Sequence, residues 1–222
     1  MIRVMLADDE SMFRAGMRSI LSSQPDIEVV AEAGDGAEAI TAARRYRPDI
    51  ALLDVRMPGV DGLQATATIR AELPGTAVVM LTTFSDDAYI ARALTGGASG
   101  FVLKTGDPRA LLGGLRAVAD GGAYLSPEVA HRVITELTTS GAASSMSRGS
   151  AARDRVAELS EREREVLSLI GEGLSNAQIA RRLSIAPGTA KIHASAVLTR
   201  LDAQNRVQAA ILAYEAGLVD RG

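Results

Sequence analysis

Short apolar runs punctuate the first 120 residues: Ile2–Ala7, Glu28–Ala33, Ile50–Leu53, Ala77–Leu81 and Gly100–Leu103. Each is four to six residues long, is rich in Val, Ile, Leu or Met, and lacks strict polar alternation. That is the pattern of a strand buried on both faces. Between the runs the apolar positions take a helical spacing, which predicts helices over Met12–Leu21, Ala37–Tyr46, Leu63–Leu73, Ala88–Leu94 and Pro108–Ala119. Five βα units in succession predict an α/β domain, a five-stranded doubly wound parallel sheet with helices on both sides.

The pattern changes after residue 120. LSPEVAHRVITEL (Leu125–Leu137) predicts a helix with Ser126 at its N-cap, Pro127 at the first position, and Val129, Val133 and Leu137 on one face. Residues 138–156 hold almost no bulky apolar residue; Ser, Ala and Gly dominate, which predicts a flexible linker. The last segment is helical in pattern. Ser160 and Glu163 form a capping box that opens a helix presenting Val166, Leu167 and Ile170, with Gly173 placed to end it. Asn176–Leu183, Pro187–Leu201 and Arg206–Ala216 predict three more helices. The tight connection Ser184–Ala186 gives the middle pair the form of a helix-turn-helix. The expected division is a domain over 1–120, a linker helix and flexible linker over 121–157, and a smaller all-α four-helix domain over 158–222.

Composition narrows the class. The chain has 222 residues, 47% of them hydrophobic, and no cysteine, which excludes a disulfide framework and a thiolate metal site. MIRVMLADDE turns acidic within its first residues, unlike a signal peptide, and no apolar run reaches membrane-spanning length. A cytoplasmic protein without a membrane partner is expected. Residues 151–222 carry 10 cations and 9 carboxylates, a balance that does not by itself announce nucleic-acid binding. Of the 24 cationic residues only Lys104 and Lys191 are lysines. A compact ammonium at two positions, where arginine is used everywhere else, suggests sites that a planar guanidinium does not fit.

In an open parallel sheet, ligands bind beyond the C-terminal strand ends. There the first predicted strand runs into Asp8 and Asp9, the third into Asp54, the fourth into Thr82 and the fifth into Lys104. Three like charges at one edge need a counterion. Hard oxygen ligands without His or Cys favour Mg²⁺. Such an edge suits a phosphoryl group: the metal and the lysine neutralise its oxygens, the hydroxyl donates a hydrogen bond, and a carboxylate attacks phosphorus.

ADD at 7–9, LLDVRMPGVDG at 52–62, MLTTF at 80–84 and GFVLK at 100–104 closely resemble the flavodoxin-like receiver domain of bacterial two-component response regulators. The resemblance implies that Asp54 is the phosphoacceptor, that Asp9 binds Mg²⁺ directly and Asp8 through water, and that the backbone carbonyl of Arg56 completes the metal site. It also implies a switch formed by Thr82 and Phe101, the hydroxyl moving toward the phosphoryl group and the ring turning inward. Pro58, Gly59 and Gly62 would shape the loop after the acceptor. From Leu159 to about Val219 the chain resembles the LuxR-type helix-turn-helix, and the two together resemble the NarL/FixJ class. That resemblance implies double-stranded DNA as a partner, with the helix 187–201 entering the major groove. Thr189 and Lys191 fall where the family contacts DNA, Arg200 lies at the far end of the helix, and His193 is a partner for backbone or phosphate rather than a metal ligand. His131 is read as structural.

The chain departs from the family on that helix. Ala186 stands where Ser or Thr usually caps it, and Ala190 and Ala194 stand where Val is usual, which changes either specificity or packing. The expected function is a phosphorylation-regulated transcriptional regulator, not an enzyme acting on a separate substrate. A sensor histidine kinase is its expected phosphodonor, and it is expected to form a homodimer on activation that binds an inverted repeat. The alternative is a DNA-binding regulator that needs no phosphorylation and uses its receiver as an interaction domain.

Overall fold

The computed structural model describes residues 1–83, 92–93, 96–126, 129–130 and 142–219, with backbone alone for 142–148. The chain divides into two compact units. One is Met1–Ala119 with Tyr124–Ala130, and the other is Asp120–Ala123 with His131–Gly222. Among the described residues no helix is long and apolar enough to cross a membrane.

The first unit runs β1 (Ile2–Ala7), α1 (Ser11–Ser22), β2 (Ile27–Ala33), α2 (Gly36–Tyr46), β3 (Ile50–Asp54), α3 (Gly62–Glu72), β4 (Ala77–Thr82), β5 (Gly100–Leu103), α4 (Pro108–Ala119) and β6 (Tyr124–Leu125). All pairings are parallel, in the order β2-β1-β3-β4-β5-β6. Every residue of β3 and β5 is buried, as their continuous apolar runs require. Val4, Leu6, Ile50, Leu52, Val79 and Leu81 point to one face, where Met17 and Leu21 of α1 and Leu111 and Leu115 of α4 cover them. Residues between them point to the other face; there Thr66 of α3 donates to the Met80 sulfur at 3.2 Å. The sheet is therefore doubly wound.

Its strand count differs from the expected five. β6 adds a sixth, edge strand, pairing Tyr124 with Gly100 and Leu125 with Phe101. Two residues are too few to leave a periodic signal. Leu125 thus ends a strand instead of starting a helix. The carbonyl of Ser126 accepts from Ala130 N–H at 2.8 Å, as an N-cap carbonyl does, but among the described residues its buried hydroxyl has no hydrogen-bond partner. Arg92 and Ala93 are helical. The other residues of the expected helix at 88–94, and those at 131–137 with His131, lie outside the described residues.

The second unit contains α5 (Ala142–Ala157), α6 (Glu161–Gly171), α7 (Asn176–Arg182), α8 (Pro187–Arg200) and α9 (Arg206–Ala216). α5 occupies 142–157, where a flexible linker was expected over 138–156; residues 138–141 lie outside the described residues. Alanine is the best helix former, and the small residues that suggested a linker also let a helix lie close against a neighbour. α5 packs on α9; a Cβ built on Gly149 would stand 3.3 Å from the Glu215 carbonyl oxygen, while Ala152 and Val156 are buried. The core joins Val166, Leu167 and Ile170 of α6 to Ile179 and Ala180 of α7, Ala190, Ala194 and Val197 of α8, and Ala209 and Ala213 of α9. The Ser160–Glu163 capping box is formed, and Ser175 and Gln178 make a second one at the start of α7. Ser184 turns the chain between α7 and α8 with a positive φ of 53°. The buried Arg206 donates to Asn176 Oδ1 at 3.0 Å and to the Leu174 carbonyl, tying α9 to the entry of α7. Burial lowers its pKa to about 10.

Candidate functional site

The C-terminal ends of β1, β3 and β5 bring the acidic residues and Lys104 together. The carboxylates of Asp8, Asp9 and Asp54 each have an oxygen within 4.8 Å of the others. Asp8 and Asp54 are buried and Asp9 is exposed. The backbone fixes this edge. Val55 N–H donates to Leu81 at 3.1 Å, Gly62 N–H to Val55 at 3.0 Å, and Lys104 N–H to Thr82 at 2.9 Å. The Asp8 carboxylate takes the Glu10 backbone N–H at 2.9 Å through Oδ1.

Lys104 closes the cluster. Its Nζ lies 2.9 Å from Asp8 Oδ2, 2.9 Å from Asp54 Oδ2 and 3.2 Å from Glu10 Oε1, and 4.7 Å from the centroid of the Phe13 ring. Burial works against the charge of this ammonium, but the close carboxylates of Asp8 and Asp54 outweigh it and hold the pKa above its usual value. Burial pushes the Asp54 carboxyl up, and the Asp8 charge adds to this; Lys104 and the Arg56 backbone N–H pull the other way. Asp8 Oδ2 is buried and, among the described residues, makes no hydrogen bond of good geometry, although Lys104 stands beside it. A buried carboxylate oxygen with spare acceptor capacity, in a set made only of carboxylates, fits a hard divalent cation such as Mg²⁺.

The remaining expected residues fall as follows. Thr82 sits at the end of β4, half-buried, with its hydroxyl donating to the Thr83 carbonyl at 3.0 Å. Phe101 is fully buried in β5 opposite Met80, so its ring already lies inside. Gly59 has a φ of +71° and Gly62 meets the Asp54 backbone closely, so the loop after Asp54 uses glycine for two separate reasons. Glu10 and Phe13 were not singled out from the sequence. An acidic residue after a DD pair and an aromatic in the next turn carry no pattern of their own.

In the second unit, Thr189 and Lys191 are exposed on α8, and so is the large apolar Ile192, at 69%. His193 is half-buried. The Arg200 guanidinium lies 3.1 Å from Glu163 Oε2, and the Glu163 pKa is lowered by Ser160 first and then by the Arg200 and His193 charges. Arg200 therefore faces the capping box of α6. Ala190 and Ala194 are buried, so the departures at these positions act on packing. Ala186 is the N-cap of α8 and makes no side-chain cap bond. Ala186→Ser is expected to stabilise the unit by about 1 kcal/mol, read as a higher denaturation midpoint; no gain would mean that Pro187 already supplies all the ordering the terminus needs. The charge of this unit is also segregated. Residues 173–201 carry Arg181, Arg182, Lys191 and Arg200 with no carboxylate, whereas Glu158, Glu161, Glu163, Glu165 and Glu172 precede them. The domain total hid this.

Comparison with known proteins agrees with both units. The response regulator receiver domain family matches residues 4–116, and the luxR family of bacterial regulatory proteins matches residues 157–213. The transcriptional regulatory protein LiaR of Bacillus subtilis is 38% identical over 99% of this chain and 100% of its own length. LnrK of the same organism, also a transcriptional regulatory protein, is 37% identical over 98% of this chain and 99% of its own. The crystal structure of ChrA, the response regulator of a heme-sensing two-component system, is 36% identical, covers 98% of both chains and superposes with a TM-score of 0.53. With a receiver at one end, a luxR-family helix-turn-helix at the other and full-length relatives of the same build, the chain belongs to the LuxR/NarL family of two-component response regulators.

Proposed function

We propose that the protein is a DNA-binding transcriptional regulator switched by phosphorylation of Asp54. The observation that carries this is the meeting of Asp8, Asp9 and Asp54 with Lys104 beyond the ends of the parallel strands. Asp54 is the nucleophile: one carboxylate oxygen attacks the phosphorus of a phosphohistidine on a sensor kinase, an acyl phosphate forms, and the P–N bond breaks with its electron pair leaving on the imidazole, which takes up a proton. Asp8, Asp9 and Asp54, with the carbonyl of Arg56, would hold Mg²⁺, whose chemistry is to neutralise the transferring phosphoryl oxygens. Lys104 binds a phosphoryl oxygen, and the Thr82 hydroxyl leaves the Thr83 carbonyl to donate to another. Phe101, next to this edge, carries the change to the surface. Phosphorylation favours a DNA-competent dimer by as much as it binds that state better.

On α8, Thr189, Lys191 and Ile192 are the groups offered to the major groove, with Arg181 and Arg182 on phosphates. We assign Arg200 to bracing α8 on Glu163. The cytoplasm is the expected compartment, since the kinase's phosphodonor domain and the DNA are both there.

The test is intact mass after incubation with Mg²⁺ and a small phosphodonor. Wild type is expected to gain one phosphoryl and Asp54→Asn none. Phosphorylated wild type is then expected to bind operator DNA more tightly than untreated protein. Equal DNA binding with and without the phosphoryl would instead favour control by other means.

A further inference from the structure

Lys104 is enclosed in a way that bears on the rate of the proposed reaction. An ammonium has three donors and no acceptor. In this structure three carboxylate oxygens lie within 3.2 Å of Nζ, those of Asp8, Asp54 and Glu10, and the Phe13 ring covers a further side. Only 6% of the Lys104 side chain is exposed. Two of these contacts, to Asp54 and Glu10, are hydrogen bonds, and the Asp8 oxygen crowds the remaining side, so a phosphoryl oxygen must compete with carboxylates for the ammonium.

The three partners are not equally free to give way. Asp8 is fully buried and anchored by the Glu10 N–H. Asp54 is the reacting group. The Glu10 side chain is 65% exposed, and among the described residues its carboxylate has Lys104 as its hydrogen-bond partner. Glu10 also holds the N-cap position of α1, yet its side chain makes no capping bond there. Its carboxylate reaches to Lys104 instead.

We propose that Glu10 is a gate on Lys104: it occupies an ammonium donor and places a negative charge beside Asp54, and so slows phosphorylation until it swings out to water. This rests on Asp54 being the phosphoacceptor. With an acyl phosphate as donor, the Asp54 oxygen attacks phosphorus and the P–O bond to the leaving carboxylate breaks with its electron pair, so no proton is needed and the donor arrives as an anion. Removing the Glu10 charge assists that approach and frees the donor. The effect of one unit charge about 4 Å away in a largely aqueous setting is about fivefold. Because Glu10 is exposed, salt screens this effect.

The experiment uses the full chain with Mg²⁺ and acetyl phosphate, following phosphoryl uptake by intact mass for wild type, Glu10→Gln and Glu10→Asp at low and high ionic strength. In parallel, ¹⁹F NMR measures the affinity for beryllium trifluoride, a phosphoryl mimic that needs no turnover. Glu10→Gln is expected to take up phosphoryl about fivefold faster at low salt, with the gap to wild type closing at about 1 M salt, and to bind the mimic more tightly. Glu10→Asp, which keeps the charge on a shorter arm, is expected to lie between. Equal rates for wild type and Glu10→Gln at low salt, or a gap that salt leaves unchanged, would overturn the gate and leave Asp54 as acceptor. Failure of every protein both to take up phosphoryl and to bind the mimic would overturn the acceptor assignment and the gate with it.

Discussion

Gly62→Ala is expected to destabilise the first unit by about 3 kcal/mol or more and to disturb Asp54 directly. A Cβ at this position would stand 1.9 Å from the Asp54 carbonyl oxygen and 2.9 Å from its carbonyl carbon, with the Met80 methyl at 3.1 Å. The first two are backbone atoms of the strand that carries the acceptor, so they cannot rotate away as a side chain does. Either α3 moves off β3, breaking the bond from Gly62 N–H to Val55, or the end of β3 shifts and Asp54 with it. Gly59→Ala is the control. It has open space around it and only its φ of +71° to oppose the substitution, so it should cost about 1 kcal/mol. Hydrogen exchange of first-unit amides across a urea series measures both. Equal losses for the two variants would mean that conformation, and not the close approach, requires glycine at 62.

Lys104→Met is the second large effect. It leaves Asp8, Asp9 and Asp54 facing one another without their cation, and removing one partner from a buried ionic group costs about 3–5 kcal/mol. The loss should depend on pH. Asp54 already has a raised pKa because it is buried, and Lys104 is the main group lowering it. Without the lysine the folded-state pKa rises further. A carboxyl whose folded pKa exceeds its unfolded one favours the fold when protonated. The variant should therefore be nearest to wild type around the ordinary Asp value of 3.8 and fall away as pH rises through the folded value. Millimolar Mg²⁺ should restore much of the difference at neutral pH if the carboxylates bind it, since a ligand of the native state stabilises by mass action. Denaturation midpoints across pH, with and without Mg²⁺, test this; a variant as stable as wild type in Mg²⁺-free buffer at pH 8 would show that the carboxylates do not strain one another.

Much of the first unit was legible because its strands are buried on both faces and its ligand edge is set by topology. Asp8, Asp54, Thr82 and Lys104 each follow the last residue, or stand at the last residue, of an apolar run, and the sheet does the rest. β6 was not legible, since Tyr124–Leu125 is too short for periodicity and is recruited by the open edge at Gly100. α5 was misread for a different reason. Ser, Ala and Gly suit a linker and a closely packed helix equally well, and only a partner surface, here α9, decides between them. Glu10 escaped notice because its role depends on where Lys104 arrives from β5, ninety-four positions later. Arg200 was expected at DNA from its position on α8, and its pairing with Glu163 could not be read from the sequence.

The two sides of α8 answer to different demands. Ala190, Ala194 and Val197 hold the helix to its neighbours, while Thr189, Lys191, Ile192 and Ser195 touch little of the protein. Substitutions on the outer side therefore carry almost no penalty in folding, and they need no compensating change elsewhere. A duplicated copy of this gene could drift in what its helix recognises one residue at a time, with the receiver and its chemistry untouched. The alanines on the inner side set the opposite rule: any larger residue there must be matched by α6, α7 or α9, so that side should diverge only in concert with them.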